Sequence, residues 1–419
     1  MGIHSSYFRT IAELTIQSLK SVYARLCDSA FIIGGILVIS ALFTFSLFVY
    51  KPLRTQSLNS TSVFDRVKDR NILNCGIEGN LPHFSDFKDN KFVGFDADYC
   101  RVIAVAMFGE LTDSNIDFKP VAVKNNQRFE SLLDGSVDVV VRNTTFTVGR
   151  EIKHGVTFGP IIYYDIPGIL VRQNSSIDTV KILTGDTNDE TNHKTICVAP
   201  NTSTFYNIEK WIEKNDYDLR IITKDDTPDK ADYNNDTLFQ EITSSVSTSP
   251  CQAIASDKSQ LVAKTFGVTE KHKLIDVTLD GKEPLAPMYK AGDHKWARLV
   301  NYAVYATIYA AERDTSKDDF KSMKSRLNKD DLPDQHSWIL GKDICHIAED
   351  MGISKEFIYN IISKVGNYYD IYEAENNIPE KDVYGNELKK GDNRIHVHDG
   401  LHYSPPFTHP DTLTEKLCE

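Results

Sequence analysis

Short apolar runs alternate with helically spaced apolar positions from about residue 64 to residue 313. In the first half of this region, the predicted strands are 71–77, 116–123, 137–142 and 161–171, and the predicted helices are 95–108 and 126–133. In the second half, the predicted strands are 195–198, 218–223 and 252–255, and the predicted helices are 203–214, 258–266 and 291–313. This alternation predicts two α/β units with mainly parallel sheets.

A different pattern precedes this region. Residues 29–50 are 22 positions without a charge, between Asp28 and Lys51. As a helix they would span about 33 Å at ~1.5 Å per residue, enough to cross a bilayer core. The stretch keeps large residues up to Lys51, unlike a cleaved signal peptide, so we interpret it as an anchor, with a buried core helix as the alternative. Residues 1–28 are then a cytoplasmic segment and residues 51–63 a polar linker.

Charge and cysteine spacing exclude several classes of protein. The net charge is −12, and no Lys/Arg stripe carries interleaved aromatic residues, so nucleic acid is not an expected partner. Seven cysteines include no Cys-x-x-Cys pair, and neither a Gly-rich phosphate loop nor a serine nucleophile elbow is visible. We therefore expect no metal and no cofactor. The histidines of the C-terminal tail are interpreted as surface residues rather than a metal site: His396, His398, His402 and His409.

One segment carries candidate chemistry. Residues 137–150, VDVVVRNTTFTVGR, pass from a β-branched strand into a polar turn and then to Arg150. Asn143 and Thr145 lie in that turn. From this segment alone, ordinary loop residues explain the pattern as well as a binding site does.

Residues 94–104, GFDADYCRVIA, resemble the signature segment of the bacterial extracellular solute-binding proteins of family 3, the polar amino-acid binders of ABC transporters. Six further blocks, in the same order, resemble the general L-amino acid-binding subfamily: RNTTFTVGR (142–150), VAPNTSTFYN (198–207), ASDKSQL (255–261), EPLAP (283–287), VGNYYDIYE (365–373) and LHYSPPF (401–407). The chain departs from the family at Ala97 and Tyr99, and Asn201 replaces a glycine. Asparagine tolerates a positive φ at such a turn.

The resemblance implies a type II two-lobe clam whose chain crosses a hinge near residues 168–172 and again near 280–284. Lobe 1 would comprise residues 64–170 and 283–335, and lobe 2 residues 171–282. A helix-rich C-terminal extension, residues 336–419, would pack on lobe 1.

The same resemblance implies roles for individual residues. Arg150 would grip the ligand α-carboxylate through its guanidinium fork, and Asp257 would receive the ammonium group. Asn143 and Thr145 would bind the ligand backbone. The start of a helix at Thr202 and Ser203 would favour the carboxylate. More loosely, the side-chain pocket would be touched by Leu81, Phe84 and Arg142.

The lobes implied by the resemblance bring two cysteine pairs together. Cys75 and Cys100 would join the first strand to the first helix, and Cys197 and Cys251 would join two strands of lobe 2. Buried free thiols are the alternative. Cys27 would lie on the cytoplasmic side, and Cys345 and Cys418 have no assigned partner.

The resemblance therefore implies a binding subunit on the outer face of the cytoplasmic membrane, which delivers free L-amino acids of broad range to ABC permease subunits. A dehydratase or lyase on the same fold is the main alternative, with Glu78 or His83 as its acid or base. A sensor module is disfavoured because only 28 residues precede the predicted span.

Overall fold

The chain is described here from a computed structural model. It describes residues 13–21, 62–109, 118–177, 179–184, 194–223, 238–239, 250–266, 272–275, 279, 281–320, 322, 345–379 and 391–407. Two compact units are present, residues 1–61 and residues 62–419. In the first, residues 13–21 form a helix. The predicted anchor at 29–50 lies outside the described residues, and within them no helix has both the length and the apolar character needed to cross a bilayer.

The second unit contains the following elements in chain order. Its strands are β1 Leu73–Ile77, β2 Asp86–Lys88, β3 Lys91–Val93, β4 Phe118–Ala122, β5 Val139–Val140, β6 Val156–Phe158, β7 Tyr163–Asp165, β8 Pro167–Arg172, β9 Lys194–Val198, β10 Leu219–Ile222, β11 Ala253–Asp257, β12 His272–Ile275, β13 Glu283–Leu285 and β14 Met288–Lys290. Its helices are α1 Val63–Arg70, α2 Phe95–Phe108, α3 Glu130–Leu133, α4 Val148–His154, α5 Val180–Thr184, α6 Ser203–Asn215, α7 Lys258–Thr265, α8 His294–Glu312, α9 Cys345–Met351, α10 Phe357–Lys364 and α11 Tyr368–Tyr372.

These strands form two five-stranded sheets. The first has the order β4-β1-β5-β14-β6, and the second has the order β10-β9-β11-β8-β12. In each sheet one strand, β14 or β8, runs against the other four. Val139 and Val140 of β5 are fully buried, which explains why this segment reads as a continuous β-branched run rather than an alternating one. The prediction of mainly parallel α/β sheets is confirmed.

A separate two-stranded ladder links the two sheets. β7 pairs antiparallel with β13, with Asp165 directly opposite Glu283. β7 leads into β8 of the second sheet, and β13 leads into β14 of the first. The first crossing is therefore at 163–166, and the prediction of 168–172 is wrong, because those residues pair with β11 and β12 inside the second sheet. The single strand predicted at 161–171 is in fact two strands, divided at Ile166.

A helix that the sequence did not predict opens the second unit. The Ser62 side chain caps α1 by accepting from the backbone N–H of Asp65 at 3.2 Å. Asp293 holds the starts of two helices together, because its carboxylate accepts from the N–H of Val63 at 2.6 Å and from that of Trp296 at 2.9 Å. The folded region thus begins inside the segment predicted to be a linker.

The C-terminal region contributes to the first core. On α10, four side chains are buried in the cluster that also contains α2 and α8: Phe357, Ile358, Ile361 and Ile362. His402 is also buried, and its ring centroid lies 4.3 Å from that of Tyr368. The interpretation of the tail histidines as surface residues is therefore wrong for His402, while His396 and His398 are exposed and His409 lies outside the described residues.

Two disulfides lie within the described residues. The sulfur atoms of Cys75 and Cys100 are 2.05 Å apart, and those of Cys197 and Cys251 are 1.98 Å apart. The first joins β1 to α2. The second joins β9 to the residue two positions before β11, so Cys251 is not itself on a strand.

Candidate functional site

A polar pocket lies at the carboxyl ends of four strands, two from each sheet. The chain leaves β4 and β5 of the first sheet and β9 and β11 of the second to reach it. In open α/β sheets, ligands bind outside the carboxyl ends of the strands. The empty space between its walls is about 360 Å³, including open solvent at its mouth. It is lined by Asn125, Arg128, Asn143, Thr145, Arg150, Ala199, Thr202, Ser203, Thr204, Ala255, Ser256, Asp257 and Gln260.

Arg150 reaches the pocket from α4. The Thr147 side chain caps this helix and accepts from the N–H of Arg150 at 3.3 Å. One guanidinium nitrogen of Arg150 donates to the carbonyl of Thr145 at 2.5 Å, which holds the side chain across the polar turn after β5. Burial lowers the pKa of Arg150, while the nearby carboxyl groups of Glu283 and Asp257 act in the opposite direction.

Asp257 approaches from the other sheet, at the last position of β11. Its Oδ1 accepts from the hydroxyl of Thr204 at 2.9 Å, and its Oδ2 accepts from the amide of Gln260 at 3.4 Å. Burial raises the pKa of Asp257 well above its ordinary value, and the nearby Glu283 and Asp165 raise it further. A cation at this position would favour the ionised carboxylate.

The start of α6 forms another wall. The Thr202 hydroxyl caps the helix, accepting from the N–H of Phe205 at 3.0 Å. Ser203 follows, with its hydroxyl 3.0 Å from that of Thr145 on the opposite side of the pocket. Asn201 has a φ of +59°, the left-handed conformation that this position was expected to need.

Glu283 is a site residue that sequence reasoning missed. It lies in hinge strand β13, and one carboxylate oxygen accepts from Thr145 at 2.5 Å and from Ser203 at 2.6 Å. The other accepts from the amide of Asn207 at 2.9 Å. Glu283 therefore joins residues of both sheets beside the pocket. The only available signal was its place in EPLAP, which carried the resemblance without an assigned role.

Arg128 was also missed, because its segment reads as an amphipathic helix, yet it lines the pocket with about 5% of its surface exposed. Conversely, Arg142 does not line the pocket. It forms an ion pair with Glu78 and donates to the Asn125 amide oxygen at 2.5 Å. Arg128 therefore lines the pocket, where Arg142 was expected.

Leu81 and Phe84 also lie away from the pocket. Both are buried in the first hydrophobic core, where the ring of Phe84 packs edge-on against Phe95 and Tyr163. Core packing removes this apolar surface from water, whereas the pocket walls are polar. Six predicted residues do meet there: Arg150, Asp257, Asn143, Thr145, Thr202 and Ser203.

Glu78 and His83, the candidate acid and base of the dehydratase or lyase alternative, lie outside the pocket. Glu78 is paired with Arg142, and His83 bonds through Nδ1 to the carbonyl of Asn377 at 2.8 Å. The ring of His83 packs edge-on against Phe266 of α7's C-terminal end, and burial lowers the pKa of His83. Neither residue lines the pocket.

Two α/β sheets joined by a pair of crossings, with a polar pocket between their strand ends, define a two-lobe solute-binding protein. Residues 73–329 match the bacterial extracellular solute-binding proteins, family 3, and the chain belongs to that family. The resemblance and the type II fold expected from the sequence are confirmed.

Curated relatives and a solved structure agree with this assignment. The chain is 29% identical over 347 residues to the putative amino-acid ABC transporter-binding protein YhdW of Escherichia coli K12, covering 82% of this chain and 92% of that protein. It is 28% identical over 356 residues to the general L-amino acid-binding periplasmic protein AapJ of Rhizobium johnstonii, covering 84% and 94%. A periplasmic binding protein from Brucella ovis with glutathione bound superposes with a TM-score of 0.69 at 27% identity, covering 83% and 99%.

Proposed function

We propose that this chain is the substrate-binding component of an amino-acid ABC transporter, closing its two lobes around a free L-amino acid and delivering it to a membrane permease. One observation carries the proposal: a half-buried arginine, Arg150, and a buried carboxyl group, Asp257, reach the same pocket from the two halves of the fold. A zwitterionic ligand supplies the opposite charge to each of them.

In this proposal, the Arg150 fork binds the α-carboxylate, assisted by free N–H groups at the start of α6. Asp257 accepts from the ammonium group, and the Thr145 hydroxyl and the Asn143 turn complete the polar shell. Charge-assisted hydrogen bonds contribute roughly 1.5 to 3 kcal/mol each, so four or five can supply the ~8 kcal/mol of a micromolar complex after association costs. Ligand contacts from both lobes would favour the closed form.

The proposal extends to location and domain limits. Residues 29–50 would anchor the chain in the cytoplasmic membrane, with residues 62–419 in the periplasm; the uncharged length of that stretch supports the anchor. Lobe 1 would comprise residues 62–165 and 283–335, and lobe 2 residues 166–282, with the rest an extension of lobe 1. Alkaline extraction of membranes tests the anchor, because deleting residues 1–61 should move the protein into the soluble fraction.

The binding role is tested by isothermal titration of the full chain, stripped of carried ligand, against the twenty amino acids. We expect several to bind with micromolar or lower Kd, and Arg150→Gln to weaken binding more than tenfold. Lys153→Gln, an exposed change on the same helix, is the matched control and should bind like the parent. Binding of no amino acid, or full-strength binding by Arg150→Gln, would contradict the proposal.

The enzyme alternative is not favoured. Its two candidate residues, Glu78 and His83, do not line the pocket. The relatives YhdW and AapJ are both named as binding proteins.

A further inference from the structure

The carboxylate of Glu283 is shared between the two halves of the fold. Glu283 lies in hinge strand β13 and is fully buried. One of its oxygens accepts from Thr145, which follows β5 of the first sheet, and from Ser203, which begins α6 after β9 of the second sheet. The other oxygen accepts from the amide of Asn207, also on α6, at 2.9 Å. Three donors of the chain itself therefore surround one buried carboxylate.

The backbone next to Glu283 is bonded to the first half of the fold. Thr145 forms a β-bridge with Leu285, and the N–H of Phe146 donates to the carbonyl of Pro284 at 2.7 Å. The contacts of Glu283 with α6, by contrast, are made through side chains. Opening of the lobes would therefore leave the Thr145 contact in place and draw the start of α6 away.

A shared acceptor restricts how far the lobes can separate. The hydroxyl oxygens of Thr145 and Ser203 are 3.0 Å apart. Since an O–H···O bond extends to about 3.0 Å, two hydroxyls that donate to one oxygen can be at most about 6 Å apart. A wider opening must break one of the two bonds. Hydrogen bonds to a charged group are stronger than neutral ones, so this break has a cost.

We propose that Glu283 is an inter-lobe clasp, a positioning residue whose carboxylate stabilises the closed form before any ligand binds. Its donors all belong to the chain, so this stabilisation does not depend on the chemistry of the ligand. The more favourable closure is without ligand, the less of the ligand's interaction energy is needed to close the lobes. The inference goes beyond the proposed function, because it concerns the protein before binding.

The hinge also provides a matched carboxylate for comparison. Asp165 of β7 lies directly opposite Glu283 in the ladder and is 7% exposed. It accepts from the hydroxyl and the N–H of Ser259 in α7, and the carbonyl of the adjoining Ile166 accepts from the N–H of Lys258 at 2.8 Å. These partners all lie on the side of the second sheet. Changing Asp165 therefore alters the charge of the hinge without removing the clasp.

The experiment measures the distance between the lobes in the full chain, stripped of carried ligand. Spin labels on genetically encoded ketone amino acids at the exposed Lys119 and Glu213 avoid the cysteines, and double electron–electron resonance gives the fractions of closed and open protein. Glu283→Gln keeps the shape of the side chain but makes its hydrogen bonds neutral, so we expect about a tenfold fall in the closed-to-open ratio. Asp165→Asn is the matched control and should keep the parental ratio.

A pair of substitutions tests whether the contact itself is responsible. In the double variant Glu283→Gln/Asn207→Asp, the amide oxygen at position 283 can still accept from Thr145 and Ser203, and its amide nitrogen can donate to the carboxylate at position 207. We expect this variant to recover most of the closed fraction. Asn207→Asp alone places two carboxylates against each other and should open the lobes.

The outcomes separate the clasp from the proposed function. An unchanged ratio in Glu283→Gln, an equal shift in Asp165→Asn, or a double variant no more closed than Glu283→Gln would each overturn the clasp. If Glu283→Gln does not fold, Asn207→Asp decides, and an unchanged ratio there counts against the clasp. Because the distances are measured without ligand, failure of amino acids to bind would overturn the proposed function alone.

Discussion

Asn393, from the C-terminal region, covers the outer edge of the hinge ladder, the β7–β13 pair that links the two sheets. Asn393 accepts from the backbone N–H of Tyr164 at 2.6 Å and donates to its carbonyl at 2.8 Å. On the other edge, Tyr164 lies opposite Pro284, which has no N–H to donate. The Asn393 amide therefore occupies the place of a third strand. The hydroxyl of Tyr368 donates to the neighbouring carbonyl of Ile162 at 3.2 Å.

We expect Asn393→Ala to loosen this hinge strand. The substitution leaves two backbone groups of Tyr164 without a partner, and each buried unsatisfied group costs roughly 1 to 3 kcal/mol. Because water can enter the space left by the amide, we take about 2 kcal/mol as the net loss of local stability. That corresponds to about thirtyfold faster hydrogen exchange at the Tyr164 amide.

Hydrogen exchange followed by mass spectrometry on a peptide spanning residues 160–167 measures this directly, with urea unfolding as a check on global stability. Asn376→Ala is the matched control, since it removes a half-buried amide from the same C-terminal region that does not bond to the hinge strand. Unchanged exchange at Tyr164 in Asn393→Ala would refute the assignment of Asn393 as the edge of the ladder. A faster rate in both variants would show only a general loss of stability.

Three further outcomes follow from the structure. Burial raises the pKa of Asp257 and a ligand ammonium group favours its ionised form, so binding should release protons and tighten with rising pH above about 4; titration heats that are the same in buffers of different ionisation enthalpy would argue against this. Burial lowers the pKa of His402 to about 3, so the folded state holds fewer protons than the unfolded chain up to about pH 6.5 and loses stability as pH falls through that window. His402→Gln should flatten that dependence in urea unfolding at pH 4 to 7, and an unaltered slope would count against it. Replacing Cys75 and Cys100 with serine should lower the free energy of unfolding by roughly 3 to 4 kcal/mol, because the unfolded chain loses a cross-link that closes a loop. An unchanged denaturation midpoint would contradict this.

Much of the local structure could be predicted from hydrophobic spacing. The helix predicted at 95–108 has those bounds in the structure, and the strands predicted at 71–77 and 195–198 differ by at most two residues at either end. These predictions succeed because the spacing of buried positions along a helix or a strand is a local property of that element. Helix α1 was missed although its N-cap, Ser62, is local, because the polar composition of the segment before it was interpreted as a linker; Asp293, which accepts from the N–H of Val63, lies 230 residues away in the chain.

The residues of the site also divide into those that local sequence features predict and those that they do not. The polar turn before Arg150 and the helix start at Ser203 are local features, and ordered motifs were enough to single them out. Local sequence could not predict that Arg128, and not Arg142, lines the pocket, because both are arginines near strand ends. The ion pair with Glu78 decides which of the two is neutralised.

What the sequence determined by itself was the alternation of strands and helices, the family resemblance and the residue types that a zwitterion needs. What only the tertiary structure decided was which side chains share the pocket. The hinge ladder places Glu283 between Thr145 and Ser203, and core packing removes Leu81 and Phe84 from the site. The physical reason is that burial periodicity acts over one turn or one pleat, whereas the charges in a cleft are set by groups that are distant in the chain and close in space.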